Sequence, residues 1–169
     1  VQEREISPVK RRRDLIVRRV KSDTEMEMFI KVFYEAFGRT SDDEPHGQLP
    51  PTYAEALRLS FRNPPGGTSV INYLGLLNEE PAGIGTLVSS DGFGGIYNVA
   101  TSPKHQRRGI GSLISVTAVE DSRRGGSTLT YLITEDGSHL RQFYGKLGFT
   151  TKFVGCGYVL PEPPRERGE

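Results

Sequence analysis

Residues 96–134 place the narrowest limits on what this chain can fold into. Ile96 to Ala100 reads as an apolar strand, and Gln106-Arg107-Arg108-Gly109-Ile110-Gly111 as a basic turn. Ile110, Leu113, Ile114, Thr117 and Ala118 then mark one face of a helix that Gly125-Gly126 stops. Leu129 to Thr134 returns to strand character. Two strands separated by a helix pair in parallel, and the helix lies across the sheet with its amino end at the first strand's carboxyl end. That end of an α/β sheet is where ligands gather.

The turn has its own chemistry. The first turn of a helix leaves backbone N–H groups without intrahelical partners, at the positive end of the helix dipole, so it attracts anions. Gly109 and Gly111 carry no Cβ and would let an extended diphosphate lie against the main chain, while Arg107 and Arg108 add charge. The dinucleotide fingerprint is incomplete, because Ile114 holds its third glycine position. The P-loop pattern is absent, because Gly145-Lys146 is followed by Leu147. Taken alone, the hexapeptide fits a solvated basic turn over a core helix equally well.

The elements around this unit follow from local pattern. Leu15 to Val20 reads as a first strand. Ser22 and Glu25 have capping-box spacing, and Met26, Phe29, Ile30, Phe33 and Phe37 recur at helical intervals as far as Gly38. Thr52 and Glu55 repeat that spacing before a short helix with Leu57 and Phe61, which ends near Asn63-Pro64-Pro65. Ser69 to Leu77, Ala82 to Val88 and Gly95 to Ala100, divided by turn residues, form an antiparallel meander. Ser138 opens a last helix carrying Leu140, Phe143, Tyr144 and Leu147, and Phe149 to Leu160 reads as a closing strand. Thr40 to Pro51, with Asp42-Asp43-Glu44 and His46, is either a lid or a plain loop and is too loosely spaced for a metal site.

One folded unit over residues 14–160 is expected, with a solvated basic arm at 1–13 and a disordered tail at 161–169. A formal net charge of +1 supplies no global field towards nucleic acid or a membrane. Arg107, Arg108, Arg123 and Arg124 lack the interleaved aromatic platform of a nucleic-acid module. The single cysteine, Cys156, excludes an internal disulfide framework and a multi-cysteine zinc site, and it favours a reducing, cytoplasmic setting. No apolar run approaches the roughly 20 residues that span a bilayer.

Three features together resemble the GNAT superfamily of acyl-CoA-dependent N-acyltransferases. Gln106 to Gly111, after a hydrophobic strand and Pro103, is similar to the family's Gln/Arg-x-x-Gly-x-Gly/Ala signature. Tyr144-Gly145-Lys146-Leu147-Gly148-Phe149 looks like the family's Tyr-x-x-x-Gly-Phe. The third is the order strand, two helices, three strands, helix, strand, helix, strand over roughly residues 14–160. The resemblance implies a mixed, mostly antiparallel central sheet with one parallel strand pair, flanked by helices: the acyl-CoA N-acyltransferase fold.

It also implies acetyl-CoA as acetyl donor, no metal, and a small-molecule or peptide amine as acceptor. The diphosphate would lie on the main chain of Gln106, Arg107, Arg108, Gly109, Ile110, Gly111 and Ser112. The pantetheine amides would pair with Val99, Ala100 and Thr101 in a splay opened by a β-bulge, where an N–H near Val99 would polarise the thioester carbonyl. Tyr144 is implied as the acid that protonates the departing thiolate, although a core tyrosine bonded to a backbone carbonyl would have the same spacing. Where the family often has Asn at the start of the last helix, this chain has Gly137-Ser138-His139, so that cofactor contact falls to Ser138. The general base is left open among Glu135, Asp136, Asp42 to Glu44 and a water-relayed proton that needs none of them, with His139 more readily an exposed first-turn residue; Asn98 faces either the acceptor or elsewhere. A homodimer is left open, as is a noncatalytic acyl-CoA-binding regulatory domain.

Overall fold

A computed structural model describes residues 6–9, 12–38, 50–135 and 137–156. The expected arm and tail, the 40–51 loop with its acids, and Asp136 therefore lie largely or wholly outside the described residues. Five strands form one sheet in sequence order: β1 (Leu15–Arg19), β2 (Ser69–Leu77), β3 (Glu80–Ser90), β4 (Phe93–Thr101) and β5 (Leu129–Leu132). Neighbours run antiparallel except β4 and β5, which are parallel. Both hairpin turns use consecutive left-handed residues, Asn78-Glu79 and Asp91-Gly92, the backbone that matches the twist of flanking strands.

Helix α1 (Asp23–Phe37) starts at the expected cap: Ser22 Oγ accepts from Glu25 N–H at 3.2 Å, and Glu25 reaches back to Lys21 N–H at 2.7 Å. Helix α2 (Pro51–Arg62) begins before the expected Thr52 cap, with Pro50 as N-cap, because Pro51 fits a first helical position whose N–H has no partner anyway. It buries no residue fully and is tied to α1 by Arg58–Glu27 and Arg62–Asp23 ion pairs. Helix α3 (Ile110–Arg124) makes the crossover, and α4 (His139–Lys146) follows β5.

The core has two layers. Met26, Phe29, Ile30 and Phe33 of α1 pack on Leu74, Leu76 and Ile84 on one face of the sheet. Ile110, Leu113, Ile114 and Val119 of α3 pack with Tyr73, Leu87 and Ile96 on the other, joined by Tyr144, Leu147 and Phe149. Ile6 and Val9 lie against this second cluster and Ser7 N–H donates to Leu147 O, so packing crosses the boundary expected at residue 14.

The closing strand expected from Phe149 differs. Phe149 makes an isolated bridge and residues 150–156 carry no strand, with Phe153 and Val154 exposed; residues 157–160 of the expected strand lie outside the described residues. Phe149 is also held by its N–H on Tyr144 O and by its ring against Tyr144, so α4 helps to fix the chain here.

Candidate functional site

Glycines on the sheet floor set the height of α3. A Cβ on Gly83 would sit closer than 3.0 Å to Ile110 Cγ2, and one on Gly85 equally close to Ile114 Cγ2; at Gly75 the distance to Ile110 Cγ2 would be 3.0 Å. The helix rests on backbone, closer than side chains would allow. Its far end is held by Asp121, 6% exposed, which accepts from Tyr73 Oη at 2.9 Å and Arg19 Nε at 3.0 Å and also pairs with Arg124. Burial pushes the Asp121 carboxyl up, but the hydrogen bonds from Arg19 and Tyr73 outweigh it and leave it below its usual range.

The amino end of α3 meets the site. β4 and β5 pair only from Phe93–Leu129 to Ile96–Leu132, so residues 97–101 of β4 have no β5 partner. Asn98, at φ +54°, is the extra residue of a β-bulge: Thr86 pairs with Tyr97, but Ile84 pairs with Ala100. After the bulge, Val99 and Thr101 face α3 and Ala100 faces α1. Around Gly111, a built Cβ would lie 3.7 Å from Phe143, 3.8 Å from Thr101 Oγ1 and 3.9 Å from Val99. The unpaired edge of β4, the first turn of α3 and the aromatic face of α4 therefore converge there.

Gly109, the N-cap of α3, adopts φ +83° with open space around it. Arg107 is left-handed at φ +60°, and Gln106, Arg107 and Arg108 are exposed. Ile110 is 1% exposed, so its side chain is core and only its main chain is available to a ligand. Ser112, half-buried, follows on the same turn. Ser138 is the N-cap of α4, but its hydroxyl donates to Glu135 O at 2.8 Å and makes no capping bond. Glu135 and His139 are exposed.

Tyr144 is buried between Phe143 and Phe149, at ring centroid distances of 4.8 and 5.8 Å. Its hydroxyl has no hydrogen-bond partner among the described residues; the carbonyl bond of a purely structural tyrosine is missing. Burial pushes its phenol above the ordinary value, so it stays protonated at neutral pH. Thr134 Oγ1, just past β5, is buried and also lacks a partner. Asn98 Nδ2 donates to Thr86 Oγ1 at 3.4 Å, which turns it away from α3.

Sequence reasoning missed Glu35, which accepts from the buried Ser102 hydroxyl at 2.8 Å and ties α1 to the start of the basic turn. Its position on the polar side of α1 gave no signal. Among the described residues, no group of three or more His, Cys, Asp or Glu could hold a metal, and no helix is long and apolar enough to cross a membrane.

An antiparallel meander joined to one splayed parallel pair, with a glycine turn at the open end, defines a mixed α/β domain of the N-acyltransferase kind. Residues 27–149 match the model of the acetyltransferase (GNAT) family, and the chain belongs to that family. Solved structures agree on the fold. AAC(6')-Iy, in complex with the bisubstrate analogue CoA-S-monomethyl-acetylneamine, superposes with TM-score 0.66 at 11% identity, covering 87% of this chain and 98% of that one. A transcriptional regulator from Bacillus halodurans C-125 gives 0.62 at 19% identity, covering 86% and 99%. Glucosamine-6-phosphate N-acetyltransferase from Arabidopsis thaliana gives 0.62 at 13% identity, covering 87% and 99%. No curated protein sequence matches the chain.

Proposed function

We propose that this chain transfers an acetyl group from acetyl-CoA to a primary amine by direct attack while both substrates are bound. The observation that carries the reading is the convergence at Gly111 of the unpaired β4 edge, the α3 amino terminus and Phe143 beside Tyr144. The site fits the donor on its own terms. Left-handed Gly109 has open space for a diphosphate, Val99 to Thr101 offer free main-chain groups to an extended amide arm, and the unpartnered Thr134 hydroxyl is a further polar contact.

The thioester supplies an activated acyl carbon. Main-chain N–H groups of residues 107–112 hold the diphosphate at the positive end of α3, with the Ser112 hydroxyl available to it. An N–H near Val99 stabilises charge on the carbonyl oxygen as the C–N bond forms and the C–S bond breaks. Tyr144 gives its proton to the departing sulfur, and the new ammonium nitrogen loses one to solvent, which restores the phenol. The Tyr144 hydroxyl suits this role because no group among the described residues competes for its proton.

The test is acetyl-CoA binding and thiol release by the purified chain with a panel of polyamines, aminoglycosides, arylamines, amino acids and peptides. Amine-dependent release that drops in Tyr144→Phe by about a hundredfold, with donor affinity unchanged, is expected. Binding without release to any amine would favour the regulatory reading, and absence of binding would overturn the site.

A further inference from the structure

The sheet face opposite α3 carries a second feature that donor binding does not use. Gly94 and Thr130 face α3, where both approach Ser122, so Phe93, Gly95 and Tyr97 on β4 and Tyr131 on β5 face the other way. Among the described residues, this face is covered farther along, where α1 meets Leu74, Ile84 and Ala100 with α2 packed beside it. Phe93 is 50% exposed and Tyr97 38%. The two phenols share a hydrogen bond of 2.9 Å, and their rings meet edge to face at 86°. Gly95 makes room for them: a Cβ there would lie 2.6 Å from the Tyr97 ring and 2.9 Å from Tyr131 Oη.

An acyl group held in the splay beyond Ile96 and Leu132 would lie between the two faces of the sheet. One is closed by α3 and α4, which meet at Gly111 and Phe143. The other is lined by this tyrosine pair, one residue before the bulge. We infer that Tyr97 and Tyr131 form the wall on which the acceptor lies, and that they select an amine carried on a flat, apolar or aromatic frame over an aliphatic polycation. The inference rests on the acetyl-transfer reading for the position of the donor. Its chemistry is local: the wall offers ring surface and, because one phenol donates to the other, one O–H left to give, while the tyrosine pair itself supplies no carboxylate with which to pair several ammonium groups.

The experiment measures binding of 2-phenylethylamine and of spermidine to the protein saturated with CoA, where no transfer can occur. Phenylethylamine should bind more tightly than spermidine. Tyr97→Ala and Tyr131→Ala should each weaken it about threefold to tenfold, as expected for loss of an aromatic contact, with CoA and spermidine affinities unchanged. Tyr97→Phe should retain most of the affinity. Gly95→Ala, which keeps both phenols but denies them their places, should reproduce the loss; thermal melts followed by circular dichroism confirm that each variant folds.

Tighter spermidine binding, alanine variants that bind phenylethylamine normally, or a dimer that dissociates in Tyr97→Ala with amine affinity unchanged would each overturn the inference. Failure to bind CoA would overturn both this wall and the donor site. Selective amine binding with no thiol release from acetyl-CoA would sink the transfer reading alone and leave the wall standing.

Discussion

Replacing Gly83 with alanine adds one methyl group where α3 rests on β3. That methyl would lie closer than 3.0 Å to Ile110 Cγ2, 3.1 Å from Ala100 O and 3.1 Å from Ile114 Cδ1, whereas ordinary contact begins at 3.4 Å. Relief needs a retreat of more than 0.4 Å (3.4 less 3.0), and backbone closes the route on the β4 side. Ile110 is β-branched and stiff at χ1, so the first turn of α3 has to move as a body. Overpacking of this kind costs about 1–3 kcal/mol. In a chain of this size that lowers the melting temperature by about 2–12 °C. The same movement carries Gly109 to Gly111 away from Val99 and Thr101, so acetyl-CoA affinity should fall by about tenfold.

Urea unfolding and calorimetric titration of Gly83→Ala, Ile110→Ala and the double variant separate the two effects. Truncating Ile110 removes the obstructing carbon, so the double variant should be more stable than the sum of the single losses by about 1 kcal/mol or more. Additive losses, or a Gly83→Ala protein as stable as the parent, would refute the claim that glycines set the height of the helix.

Gly109→Ala places a Cβ on a left-handed residue with open space around it, so backbone strain alone should cost about 1–2 kcal/mol, measured by urea unfolding. Asp121→Asn breaks a buried pair and should cost about 3 kcal/mol. Because the folded Asp121 carboxyl lies below its usual range, the parent holds this advantage above the unfolded carboxyl's range and loses it as pH falls through the folded one; stability of the two proteins should therefore converge in acid. In an alkaline absorbance titration, three of the seven tyrosines should ionise late: Tyr97, pushed up to about 12 by its bond to Tyr131 and by burial, and Tyr73 and Tyr144, raised chiefly by burial. Their folded-state values are raised, so any stability they confer is present below about pH 10 and lost as pH climbs through those values.

The fold was legible where local chemistry and tertiary structure ask for the same residues. The Ser22 and Glu25 cap, the turn pairs at 78–79 and 91–92, and the halt of α3 at Gly125 each act within a few residues of themselves. The glycine turn at the amino end of α3 was legible for a similar reason, since Gly109 to Gly111 lie on one turn. Phe149 to Cys156 misled because an apolar run fits a strand equally well as a segment pinned by one bridge and one ring contact. Glu35 with Ser102, and Tyr97 with Tyr131, are separated by 67 and 34 positions, and no local period announces such pairs. The floor glycines were visible as residues, but their role depends on which helix lies over them.

The bulge at Asn98 divides β4 into two registers of opposite parity. Before it, odd-numbered positions look towards the open face; after it, they look towards α3. Substitutions at Phe93 or Tyr97 and at Val99 or Thr101 thus fall on opposite faces of the sheet although they sit on one strand a few residues apart. On the proposed reading, a lineage could exchange acceptors by altering the first group while the second keeps its hold on the donor. Deleting Asn98 would leave Val99 and Thr101 facing α3 but remove the bulge that bends the strand there, so this stretch tolerates replacement better than a change in length.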